Sequence, residues 1–111
     1  MTIRTTIVGT RFRGPKAVAA LARLRPGDRL RLVREPENEH DPDAVAVYSG
    51  TTHLGYIPRG VNRDVADRIM SADSVAAIVT AEAIVEREEV RFAPRIEIRN
   101  HFDDLFADGR T

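Results

Sequence analysis

The sequence predicts a mainly β domain: a β-barrel of the modified OB or SH3-like kind, with about six strands and two short helices as insertions. Three observations lead there. Six short segments are rich in β-branched residues or alternate apolar with polar, and turn residues separate them. Two stretches carry helical spacing, and both are short. Strands and helices do not alternate regularly, so a parallel βαβ sheet is not expected.

Thr2–Gly9, rich in Thr, Ile and Val and closed by a glycine, reads as the first strand. Gly14-Pro15 then starts a helix, because proline suits the first helical position. Val18, Leu21 and Ala22 follow at helical spacing until Pro26-Gly27-Asp28 turns the chain. Leu30 and Leu32 alternate with Arg29 and Arg31, as in a half-buried strand ending near Arg34. Glu35–Asp43, with Pro36 and Pro42, is a polar loop. Ala44–Tyr48 and His53–Ile57 form a hairpin across Ser49-Gly50-Thr51-Thr52, and Pro58 ends its second strand. Asn62 is placed to cap a second helix, with Asp64 in its first turn and Val65, Ile69 and Met70 on one face. Val75–Glu86 and Pro94–Asn100 supply the last two strands, and Ile96 and Ile98 alternate with Glu97 and Arg99 in the latter. Residues 1–100 thus read as one domain and residues 101–111 as a C-terminal tail carrying Phe102, Leu105 and Phe106.

A chain of 111 residues has the length of one domain. It holds no cysteine, which excludes a disulfide framework and a thiolate zinc site and fits a reducing, cytoplasmic setting. The N-terminus offers no charged start followed by a sustained apolar run, so a signal peptide is not expected, and no run approaches the ~20 apolar residues of a membrane helix. A soluble protein without a membrane partner is expected. Seventeen basic residues balance seventeen acidic ones, but unevenly along the chain. Met1–Arg34 has nine bases and the single acid Asp28, whereas Glu35–Tyr48 has five acids and no base. Such asymmetry makes a local field even when the sum is zero, unless the fold interleaves the two segments.

Three clusters are candidates for chemistry. In Gly9-Thr10-Arg11-Phe12-Arg13-Gly14 an aromatic ring stands between two arginines just after a strand. That arrangement suits a stacked base with phosphates held by guanidinium forks; the alternative is a core ring with solvated arginines. The loop Glu35–Asp43 gathers Asp, Glu and His, which are oxygen and nitrogen ligands for a divalent metal. Its spacing is not that of an EF-hand, and an acidic loop whose Asn and Asp fix turns is the simpler reading, so no metal and no cofactor are expected. In His53-Leu54-Gly55-Tyr56-Ile57-Pro58-Arg59, Gly55 marks a bulge or the close approach of another backbone, beside an aromatic and a cation. No nucleophile elbow, phosphate-binding glycine loop or histidine pair at ligand spacing is present, so an enzyme is not expected.

Taken in order, "IVGTRFRG", "LRLVREPENEHDPDAVAVY" and "HLGYIPRGVNRDVA" resemble the HIRAN domain, in particular its free-standing bacterial type. The resemblance spans most of residues 3–85, and the acidic loop followed by an apolar strand is its most specific part. It implies an OB-like barrel that captures the 3′ end of single-stranded DNA. By position, the resemblance makes Arg11 a phosphate contact, Phe12 a stacking ring, and Asn38 and Asp41 the polar pair that reads the terminal hydroxyl. Arg59 stands where a lysine approaches the backbone, His40 where DNA-binding members have a tyrosine, and Tyr56 where they have a histidine. Phe92 stands nearest to a later pocket aromatic.

The reading that follows is a non-catalytic module for single-stranded DNA ends, acting alone or as an adaptor for a DNA repair or processing enzyme. The alternative is a protein-interaction module whose groove takes a peptide. The segment Phe102-Asp103-Asp104-Leu105-Phe106 favours that alternative, since an acidic-aromatic stretch can dock on a partner or mimic DNA. A metal-dependent nuclease built on the acidic loop is the third reading. The sequence leaves oligomeric state open.

Overall fold

The six segments read as strands all enter one antiparallel sheet in the structure, a computed structural model that describes residues 2–71 and 75–100. They are β1 (Ile3–Thr6), β2 (Arg29–Arg34), β3 (Val45–Ser49), β4 (Thr52–Tyr56), β5 (Val75–Ala81) and β8 (Arg95–Asn100). Their order across the sheet is β1-β8-β5-β2-β3-β4. Alternation sets the register: Ile3 and Ala77 both sit opposite Ile98, and Leu30 sits opposite Ala77. A one-residue slip would turn these side chains from the core to solvent. Ile7, Leu21, Leu54, Val65, Val79 and Ile96 belong to the single apolar cluster that results.

The sheet curls until its ends meet. Val8, two residues beyond β1, forms a bridge with Tyr56 at the end of β4, and each amide donates to the other's carbonyl at 2.8 Å. Gly55 makes this closure possible. It has φ +153°, and a Cβ there would lie 2.4 Å from the Val8 carbonyl oxygen. The expected close approach is therefore present, and the register also shifts between Val47 and Tyr48 opposite this stretch. Mainly β, with a barrel-like sheet and two α-helices, is the architecture observed.

Helix α1 (Pro15–Arg23) starts at the proline after Gly14, whose φ is +85°. It buries Ala17, Ala20 and Leu21, whereas Ala22 of the anticipated stripe faces solvent. Helix α2 (Arg59–Ser71) begins three residues before Asn62, because the Pro58 carbonyl already accepts the amides of Val61 and Asn62. Asn62 is therefore not a cap. It belongs to the inward stripe with Val65, Ala66 and Ile69, while Met70 is exposed.

One element was not anticipated. Val75–Glu86 is not a single strand: β5 ends at Ala81, and β6 (Ile84–Glu86) pairs with β7 (Glu89–Phe92) as a separate hairpin. Its two-residue turn, Arg87-Glu88, takes φ of +51° and +64°. Tight hairpins need that geometry, but Asn and Gly usually supply it, so Arg-Glu gives no turn signal in the sequence. The tail from His101 onward lies outside the described residues. Among the described residues, no helix is long and apolar enough to cross a membrane.

Candidate nucleic-acid interface

The acidic loop between β2 and β3 is shaped by its own side chains. The Asn38 amide donates to the Glu35 carbonyl at 2.9 Å, and Asn38 Oδ1 accepts the amides of His40 and Asp41 at 2.9 and 3.1 Å. Asp41 Oδ1 accepts the Asp43 amide at 2.9 Å. These are the local bonds by which Asn and Asp fix turns. The same bonds aim Asp41 at helix α2. Asn62, 4% exposed, donates Nδ2 to Asp41 Oδ2 at 2.8 Å, and Arg59 Nε lies 3.7 Å from that oxygen. The Asp43 amide, the Asn62 amide and the Arg59 charge together hold the Asp41 carboxyl below its ordinary pKa against the opposing effect of burial. It is a carboxylate throughout the neutral range.

Across from it, Tyr56 donates its hydroxyl to Glu35 Oε1 at 2.9 Å, and the same oxygen accepts Asn38 Nδ2 at 3.0 Å. Burial and the Glu35 carboxylate push the Tyr56 phenol up, so it stays a neutral donor. The Arg13 guanidinium carbon stands 5.8 Å from the centre of the Tyr56 ring. Arg13 Nη1 also lies 3.1 Å from His53 Nδ1, and His53 Nε2 lies 3.0 Å from the Gly55 carbonyl oxygen. A carbonyl only accepts, so Nε2 carries the proton and Nδ1 accepts from Arg13. Burial and the Arg13 charge pull the His53 pKa down. The His53 ring is further fixed by stacking on Tyr48, with centroids 4.9 Å apart, and by an edge contact with Tyr56.

Asn38, Asp41, Arg59 and Asn62 on one side and Arg13 and Tyr56 on the other line a concavity of about 310 Å³, with Glu35 and His53 behind them as supports. Five of the eight residues singled out in the sequence line it: Asn38, His40, Asp41, Tyr56 and Arg59. Val8, Ala44 and Ile57 give it apolar walls, and Arg13 and Asn62 complete it. Phe12, 75% exposed, borders a neighbouring groove instead. Arg11 lines a third depression, together with Glu88 and Glu89 from the β6–β7 hairpin. Phe92 on β7 is 68% exposed and lies outside all three hollows.

Arg13, Glu35 and His53 lay within the three candidate clusters but had no role in the site by resemblance, and Asn62 was read only as a helix cap. Gly9, with φ +74°, leads into a single 3-10 turn at Thr10–Phe12, and that turn sends Arg11 and Arg13 to different hollows. For Asn62 the available signal is a polar residue on the inward stripe of an amphipathic helix. Such a group requires a buried partner. Among the described residues, no group of three or more His, Asp or Glu is arranged to hold a metal ion.

No curated protein matches the chain. It is similar to a solved crystal structure of a protein from Lactobacillus plantarum, a structural-genomics target. The two share 25% identity over 90% of this chain and 98% of that one, with a TM-score of 0.65. It is similar in fold to the crystal structure of the HIRAN domain of human HLTF, at 16% identity over 99% of this chain and 90% of that one, with a TM-score of 0.64. The model of the HIRAN domain matches residues 1–102, a span that includes every described strand, and the chain therefore belongs to the HIRAN domain family, known as a DNA-binding module.

Proposed function

We propose that this chain is a non-catalytic module that captures single-stranded DNA by its 3′ end, with the terminal nucleotide in the concavity beside Asp41. The observation that carries the reading is the carboxylate itself, held ionised by the Asp43 amide, Asn62 and Arg59 inside a hollow that Arg13 also lines. A carboxylate accepts a hydrogen bond from a free hydroxyl and repels a phosphate in its place. Arg13 and Arg59 supply the opposite charge, for the phosphodiester on the 5′ side of the terminal sugar. The Tyr56 and His40 rings and the apolar walls offer contact to a base without hydrogen bonds specific to one sequence, which suits a reader of ends.

Family membership supports DNA as the ligand class. Balanced net charge agrees with a few local phosphate contacts rather than a long coating groove. Delivery of a repair or processing enzyme to such ends is the adaptor role that fits a domain of this size.

Fluorescence anisotropy with short single strands, repeated across a salt series, tests the reading. Two or three phosphate contacts give a slope of log affinity against log salt of about −1.4 to −2.1. A much steeper slope, or stronger binding to blunt duplex than to single strand, contradicts capture of an end.

A further inference from the structure

We propose that the strand leaves the end cavity through the groove between the start of α1 and the β3–β4 turn, where Lys16, Thr51 and Thr52 hold the backbone of the next nucleotides. This rests on the end-capture reading and gives the strand a direction. The groove, about 390 Å³, is lined by Phe12, Arg13, Lys16, Thr51, Thr52 and His53. It adjoins the end cavity at Arg13, which lines both.

Charge separates the hollows: one beside the end cavity, which shares Asn38 with it, carries Glu35 and Glu37 against the single cation Arg34. The end cavity contains Asp41, which suits a hydroxyl terminus. The depression at Arg11 contains Glu88 and Glu89, which oppose a polyanion. The groove at Lys16 contains no carboxylate; its lining offers two cations, two hydroxyls and a histidine that burial and Arg13 keep neutral at physiological pH. A backbone with one negative charge per nucleotide meets attraction on this side and repulsion on the other. Rigidity favours the same exit. His53 is held by Tyr48, Gly55 and Arg13, so the wall of the groove is set before a ligand arrives. Lys16, exposed on the first turn of α1, is the one lysine of the 111 residues and places a flexible point charge over the opening.

The test uses thymidine 5′-monophosphate and the tetranucleotide of thymidine, both ending in a 3′ hydroxyl, with the wild-type chain, Lys16→Ala, and the pair Glu88→Gln with Glu89→Gln. Lys16→Ala weakens the tetranucleotide by about three- to ten-fold at low salt, as loss of one exposed phosphate contact does, and changes the monophosphate less than two-fold. The glutamate pair leaves both unchanged. Amine-reactive labelling of Lys16 is slowed by the tetranucleotide and not by the monophosphate. Tetranucleotide binding that ignores Lys16, or that strengthens in the glutamate pair, overturns the route while leaving end capture in place. Failure of every strand to bind overturns end capture and the route with it.

Discussion

The carbonyl oxygen of Val8 lies 2.4 Å from where a Cβ of residue 55 would stand, so the absence of a side chain at Gly55 allows the barrel to close. Closure also builds the site. The Val8–Tyr56 bridge brings the Tyr56 ring beside Arg13 and places its hydroxyl on Glu35 of the acidic loop.

Gly55→Ala therefore affects both stability and binding. The methyl group meets backbone rather than a yielding side chain, and φ +153° is a region that L residues rarely adopt. A loss of about 2–4 kcal/mol in urea unfolding is expected, in line with strain at a special backbone position. Full stability in this variant would mean that closure does not depend on the glycine.

Arg13 and Arg11 should differ as DNA contacts. Arg13 lines the end cavity, whereas Arg11 shares its hollow with Glu88 and Glu89. Arg13→Ala is expected to weaken binding of a short single strand by about 10- to 100-fold, the range for a hydrogen bond to a charged group. Arg11→Ala should cost several-fold less. Anisotropy on the two variants decides it, and the reverse order would restore Arg11 as the principal phosphate contact.

His53 makes stability depend on pH in a defined window. Its folded pKa lies below the ordinary value of 6.5, so between the two values the unfolded chain binds more protons than the folded one. The stabilising contribution is complete above pH 6.5 and falls away as pH drops toward the folded pKa. Asp41 and Glu97 are also depressed, but their contributions are lost only below their ordinary values of 3.8 and 4.5. Urea unfolding between pH 7.5 and 5 therefore isolates the histidine. A decline that disappears in His53→Gln is expected, and an NMR titration of the His53 ring should give a midpoint under 6.5.

The β6–β7 turn holds Arg87 and Glu88 at positive φ, which costs roughly 1–2 kcal/mol for an ordinary L residue. Glycine removes that strain but loses roughly 0.5–1 kcal/mol of backbone entropy, so relief wins narrowly. Arg87→Asn with Glu88→Gly should raise the unfolding midpoint by several degrees, as a gain of ~1 kcal/mol does in a domain of this size. Thermal unfolding that does not move would mean that the hairpin melts separately from the barrel.

The contrast between the β6–β7 hairpin and the six-stranded sheet also marks what the sequence made legible. Leu30, Leu32, Ile96 and Ile98 alternate because one side of their strands faces the core, and that pattern is visible in one dimension. Arg87-Glu88 carries no turn chemistry, so the hairpin was invisible. The site divides the same way. Asn38 and Asp41 stand out by composition because loop-fixing residues act on their near neighbours. Asn62 reaches Asp41 across 21 positions, and the choice between Arg11 and Arg13 depends on one 3-10 turn. Of the contacts set by closure of the barrel, Gly55 is the local trace; the side-chain partners that closure brings together carry none.

The central claim is that Asp41 reads a free 3′ hydroxyl, and one comparison tests it most directly. Affinity is measured for the same short single strand ending in a 3′ hydroxyl or a 3′ phosphate, with the wild-type chain and with Asp41→Asn. The substitution removes the charge, and a flip of the Asn62 amide can keep the hydrogen bond between them. Tighter binding of the hydroxyl end by the wild type, with the preference lost in Asp41→Asn, is the result expected. Equal affinity of the wild type for both ends would contradict the claim.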